Sequence, residues 1–394
     1  MTNTPDSRFE FEPAGPTRVQ ETRQDSPSSA LLHWIFRGHQ GMRAGWSVLI
    51  FIAIFATLGL GAGALARTIS HTERSLTEIP APSILREALQ LAALFLATWI
   101  MAGIEKRSVL CYGFADKRKM IRLASGSVIG FLVISGLVGL LWATHVLAFD
   151  GRILSGEMIW KYGLLWGVMF FIVAFFEEGL LRGYLQYTLA RGLNFWSAAA
   201  ILSVLFGALH TNNWRESPVG IVAAIAADLV FCLSLRLTGS LWWIVGVHAG
   251  WDWAESYFYG VADSGVETQG HLYATHAIGR QVWSGGATGP EGSVYALLVL
   301  LLLAIGIWLM WGKGGTRLVC NRGSLIRLWR RCSISPKSRL GARIYRITGS
   351  RSAAASAASL CVGHVQQLGG ASSLPDLMEV RVSKTQGLLS RGGV

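Results

Sequence analysis

The chain has 394 residues, 52% of them hydrophobic and only 15% charged, with 16 Trp and a positive mean hydropathy. That composition excludes an ordinary soluble globular core and points to a multi-spanning membrane protein. The formal net charge of +12 does not call for nucleic acid, because the basic residues lie in connecting segments and the tail rather than on one amphipathic face, and a membrane surface explains them better.

Residues 1–44 form a polar arm with Pro5, Pro13, Pro16 and Pro27 and both signs of charge. Disorder is expected there, with a short interfacial helix at the aromatic and basic stretch 31–37. The first apolar run starts too far in, without a small-residue cleavage pattern, to be a signal peptide, so it reads as a retained span. A membrane-embedded core is expected over 45–312, with spans at 46–66, 88–104, 123–149, 162–190, 195–210, 219–235, 241–258 and 294–311. The fold class is therefore all-α, a polytopic helical bundle of about eight transmembrane helices. An even count returns the chain to its starting side. A cytoplasmic N-terminus then places the cluster of Lys106, Arg107, Lys117, Arg118, Lys119 and Arg122 and the basic tail on the cytoplasmic face together. Residues 313–394, rich in Arg, Ser, Ala and Gly, show no sustained apolar periodicity and read as a disordered tail. Cys111, Cys232, Cys320, Cys332 and Cys361 have no C-x-x-C spacing and no framework density, so all five read as free thiols.

The fourth span carries Glu177, Glu178 and Arg182 inside an apolar run. Each charge near the bilayer centre costs roughly 2.5–3.5 kcal/mol, so three unpaired ones approach about 10 kcal/mol. Glu178 and Arg182 are four apart and share a helical face in the favourable order, acid before base. Glu177 lies about 100° round the helix and is left over. Its charge requires a partner from another helix or a water-filled cavity. An ion-paired helix contact would account for Glu178 and Arg182 but not for Glu177.

Other ionisable residues of the later spans are His210, Asp228, His248 and Asp252. Asp228 suits a hydrogen bond or ion pair between helices. His145, with no partner spaced to it, suits a packed or interfacial position. A carboxylate with a histidine is enough to activate water, and a second histidine with a polar neighbour can meet the oxyanion of a tetrahedral intermediate. Neither G-x-S-x-G nor a Cys/His pair is present to suggest a covalent nucleophile, so attack by water is preferred.

Glu177-Glu178-x-x-x-Arg182, Phe206-x-x-x-His210 and His248-x-x-x-Asp252 follow one another on successive membrane segments. Together with Leu209-His210-x-Asn212 and Gly239-Ser240-Leu241-Trp242, they resemble the three motifs of the CPBP family. That family comprises CAAX prenyl endopeptidases and bacteriocin-processing or Abi-type proteins, and the resemblance covers about 123–260. It implies an intramembrane endopeptidase of about eight spans, acting on a membrane protein or peptide in the bilayer, in a plasma membrane of bacterial type. Carried over, it makes Glu177 the general base, with His210 helping to bind the water. His248 and Asp252 would stabilise the oxyanion, and Glu178 and Arg182 would support the site. Where the family often has Asn this chain has Asp252, which must be protonated to donate or must act by orienting His248. No cofactor is favoured. Zinc is the alternative, with Glu177, His210 and His248 as its three ligands, although H-E-x-x-H is absent. Two other classes compete: a non-catalytic accessory or immunity protein that uses the charges as helix glue, and a proton-coupled carrier, for which an inverted repeat would be needed.

Overall fold

The structure, a computed structural model, describes residues 36–38, 41–70 and 77–312. The expected tail at 313–394 and nearly all of the arm, including most of the interfacial helix, lie outside the described residues. Arg37 and Gly38 (β1) pair antiparallel with Gly41 and Met42 (β2) ahead of the first long helix.

Among the described residues six helices are long and apolar enough to cross a membrane: Ala44–Ser70 (α1), Pro80–Glu105 (α2), Lys119–Ala143 (α3), Glu157–Gly192 (α4), Pro218–Thr238 (α6) and Val294–Trp311 (α8). Large side chains such as Leu60, Trp99, Trp160, Leu164 and Leu309 are exposed on them, the arrangement a hydrocarbon solvent asks for. This is an integral membrane protein. The expected fifth and seventh spans are also helical, as Phe195–His210 (α5) and Trp242–Asp252 (α7), but shorter. Sixteen residues of α5 reach about 24 Å, less than the roughly 30 Å hydrocarbon thickness. Helix α7 is continued by a wider π turn, Trp253–Tyr259. It is buried at Trp243 to Val247 and at Ala249 to Asp252, so it is the inner helix of the bundle.

What puts α7 there is a reciprocal pair of small-residue spacings. A Cβ at Gly126 would stand 2.2 Å from the Trp243 carbonyl oxygen, and one at Gly130 would stand 2.0 Å from that of Val247. On the other side, Gly246 would meet the Leu123 oxygen at 2.3 Å and Gly250 that of Ser127 at 2.2 Å. The G-x-x-x-G faces of α3 and α7 therefore press backbone to backbone, and His248 is held between the two glycines of α7.

Capping residues set the ends of α5 and α6. Asn194 Oδ1 accepts from Ser197 N at 2.9 Å, and Ser217 Oγ accepts from Gly220 N at 3.0 Å, with Pro218 opening α6. At one end of the bundle Glu105 joins α2 to α4, accepting from Tyr184 Oη at 3.0 Å and from Arg191 Nη2 at 2.9 Å, with Arg107 Nε 3.2 Å away. At the other, Trp253 Nε1 donates to the Gly163 oxygen at 2.8 Å and Tyr257 Oη to that of Ile159 at 2.5 Å.

The third span ends earlier than expected. Helix α3 stops at Ala143, Thr144 bonds back to the Leu140 oxygen at 2.8 Å, and exposed His145 turns the chain with φ at 57°. Leu147–Arg152 (β4) then pairs antiparallel with Tyr273–Ala277 (β6), Leu147 buried and Phe149 exposed. The apolar run 146–149 is thus extended, too short for periodicity to separate strand from helix. Thr77–Glu78 (β3) pairs parallel with Glu267–Thr268 (β5). These ladders knit the connections at one end of the otherwise helical bundle. Cys232 is a free, buried thiol, but Cys111 is disulfide-bonded, which corrects the reading of all five cysteines as free.

Candidate active site

Helix α4 widens where the chemistry begins: it is α-helical to Glu178 and π-helical over Gly179–Leu185, with a break in dihedrals at Gly183. Wide turns of this kind recur at functional sites. The helical-face argument survives the change of pitch, since Arg182 Nη1 donates to Glu178 Oε1 at 3.0 Å. Arg182 Nη2 also pairs with Asp228 Oδ1 of α6 at 2.7 Å, and Ser203 Oγ of α5 donates to Asp228 Oδ2 at 2.6 Å. The guanidinium lies over Phe206 and Phe231, 5.3 and 5.4 Å from their ring centres. Arg182, Glu178 and Asp228 are all buried. Asp228 takes the interhelical role expected of it.

Glu178 does more than pair with Arg182. The same Oε1 accepts from His248 Nδ1 at 2.8 Å. That bond fixes the ring so that Nε2 faces Asp252 Oδ2 at 3.4 Å and Glu177 Oε2 at 3.7 Å. Asp252, four residues on along α7, therefore meets the outward nitrogen while Glu178 holds the inward one. Glu177 keeps 29% of its side chain exposed and Glu178 none, which separates the two adjacent acids as the sequence suggested.

His210 closes α5, with Nδ1 2.8 Å from the Phe206 carbonyl oxygen and its ring packed on that of Phe206. A carbonyl only accepts, so Nδ1 is the donor in this contact and Nε2 is the nitrogen left for another partner. Glu177, His210, His248 and Asp252 all line one cavity of about 1110 Å3, together with Asn212, Asp263 and Glu291. Phe170, Phe176, Phe206, Phe231 and Leu300 supply much of its apolar wall. In the connection after His210, burial pushes the Glu216 carboxyl up to about 6, opposed by the Ser217 N–H and reinforced by Glu291.

A catalytic zinc needs its donors on a small sphere. Glu177, His210 and His248 do not make such a set among the described residues, where the grouping with donor atoms within 4.8 Å of one another is Glu255, Asp263 and Glu291. His248 Nδ1 is besides committed to Glu178. The sequence reading missed the bond from Glu178 to His248, which joins residues 70 apart, and the role of Ser203. It also passed over Glu255, three residues after Asp252, whose acidic neighbours come from two later stretches of the chain.

No curated protein matches the chain. The family model described as Type II CAAX prenyl endopeptidase Rce1-like matches residues 159–254, a stretch that contains Glu177, Glu178, Arg182, His210, Asp228, His248 and Asp252 alike. Over those residues the chain is similar to the membrane-embedded CAAX proteases, and the resemblance to the CPBP family drawn from the three motifs rests on this match as well.

Proposed function

We propose that the chain is an intramembrane endopeptidase that hydrolyses peptide bonds of membrane-associated proteins or peptides with a water activated by Glu177 and His210. The observation that carries this reading is the unequal treatment of two adjacent acids, Glu178 buried against Arg182 and His248, Glu177 facing a cavity lined by both histidines. The water donates a hydrogen bond to His210 Nε2 through the hydrogen it keeps, and Glu177 takes its other proton as the water oxygen attacks the substrate carbonyl. His248 holds Nδ1–H on Glu178, and a proton on Nε2, resting between Glu177 and Asp252, is placed for the developing oxyanion. Protonated Glu177 then gives its proton to the leaving amine as the tetrahedral intermediate collapses. Asp252 acts through His248 by accepting from Nε2 in the resting site, a role that does not require it to donate.

The test is cleavage of a peptide library by detergent-purified protein before and after exhaustive dialysis with a zinc-selective chelator. Unchanged activity is expected. Loss that zinc restores would reassign His210 and His248 as ligands, and no cleavage by any preparation would favour the non-catalytic accessory class.

The topology we propose has both termini cytoplasmic in a bacterial-type plasma membrane. Single cysteines at Ser29 and Ser338 should resist impermeant labelling of intact cells, and labelling of either from outside rejects the arrangement.

A further inference from the structure

Glu255, Asp263 and Glu291 come from three separate stretches, the π turn after α7, the loop after Gly260 and the turn before α8. One carboxylate oxygen from each lies within 4.8 Å of the others. Among the described residues no Lys, Arg or His forms an ion pair with any of them within 4 Å. Glu255 has no exposure at all. Its Oε2 accepts from Trp251 Nε1 at 2.7 Å, whereas its Oε1 is buried without a hydrogen-bond partner.

The free oxygen lies beside Gly289. A Cβ built on Gly289 would lie 3.5 Å from Glu255 Oε1 and 1.9 Å from the Ala262 oxygen. Oε1 therefore sits where the loop carrying Asp263 meets the turn carrying Glu291. Only glycine, at φ 105°, lets these backbones come so close. Three carboxylates brought together need either shared protons or a cation between them.

We propose that Glu255, Asp263 and Glu291 form a binding site for a hard divalent cation of the calcium class, set in the wall of the cavity. All-oxygen donors select calcium- and magnesium-type ions over zinc. Oxygens that all lie within 4.8 Å of one another can share a sphere of the radius calcium takes, about 2.3–2.6 Å, and calcium's flexible shell accepts such a set more readily than magnesium, which demands near-ideal octahedral geometry. Waters from the cavity complete the shell. The supporting groups are in place: Trp251 holds Glu255, Ser264 Oγ donates to Glu291 Oε2 at 3.0 Å, and Ser256 Oγ to Asp263 Oδ2 at 3.4 Å. Asp263 and Glu291 line the cavity, which is the entry path. The ion would tie the extension of α7 to the loop and turn that border Asp252.

The experiment uses full-length, chelator-stripped protein in detergent, read by thermal unfolding and by terbium luminescence excited through tryptophan. Calcium should raise the midpoint saturably and displace terbium, with magnesium much weaker. Glu291→Gln and Asp263→Asn should each weaken calcium binding about tenfold or more, as loss of one of three charged ligands implies. Without calcium these variants should unfold at or above the wild-type midpoint, since one of three like charges is gone, which a merely structural carboxylate would not do. Glu177→Ala should bind calcium as the wild type does, whatever becomes of peptidase activity. No calcium-dependent shift in the wild type, or undiminished affinity in both variants, overturns the proposal and leaves the three carboxyls held by protons.

Discussion

Glu177→Ala and His248→Ala are each expected to lower the rate of peptide cleavage about 100-fold or more while leaving the protein folded, the loss typical of a missing general base or oxyanion donor. For Glu177 the folding half of the expectation follows from its position. It is partly exposed to the cavity, and its nearest ionic neighbour is His248 Nε2 at 3.7 Å, so truncation strands no buried charge. His248 is a harder case, because its Nδ1 proton sits on Glu178. Glu178 nevertheless keeps Arg182 at 3.0 Å, and the glycine faces of α3 and α7 hold the backbone on either side of residue 248 without any side chain there. Asp252→Asn serves as the companion variant. An amide oxygen still accepts from His248 Nε2, so activity should persist with a changed pH profile. The measurement is kcat/KM on one peptide for all three, with unfolding midpoints alongside. Full activity of Glu177→Ala removes the mechanism, and an inactive Asp252→Asn removes the acceptor role given to Asp252.

The sequence reading succeeded where one helix was enough to state the geometry. Glu178 and Arg182 are four apart, and no tertiary knowledge is needed to pair them or to leave Glu177 aside. The division between the two acids was therefore legible before any fold, and so was the membrane setting, since long apolar runs report their solvent directly. Contacts that depend on where separate segments come to rest were not legible. The carboxylate that orients His248 is Glu178, 70 residues earlier, and the acidic group around Glu255 draws on two loops. The third span was read six residues too long because Val146 to Phe149 is apolar, and its partner strand, Tyr273–Ala277, lies far along the chain. A further signal was present and unused: Gly126-x-x-x-Gly130 and Gly246-x-x-x-Gly250 are both in the sequence. Only the structure shows that they face one another and so set the depth of α7.

Arg182→Gln is expected to have the largest effect on folding of any single change at this site. The guanidinium is buried and is the ion-pair partner of two buried carboxylates, Glu178 at 3.0 Å and Asp228 at 2.7 Å. Removing one member of a buried ionic set typically costs about 3–5 kcal/mol, because the group left behind is an uncompensated charge in a low dielectric. Here two such groups would be left, on α4 and α6, and His248 would face an acid stripped of its counter-ion. Glu178→Gln should also lower folded yield, since the amide replaces a charge shared by Arg182 and His248. Glu177→Gln, on the cavity side, should unfold as the wild type does. Changing Arg182 and Asp228 together, to Met and Asn, should cost less than the sum of the single changes, because contacting charges are not independent. The measurement is the yield of monodisperse protein and its thermal midpoint in detergent across this set. Equal losses for Glu177→Gln and Arg182→Gln would end the division of labour between the two glutamates, and strict additivity of the Arg182 and Asp228 changes would show that the pair between α4 and α6 contributes nothing to holding the site together.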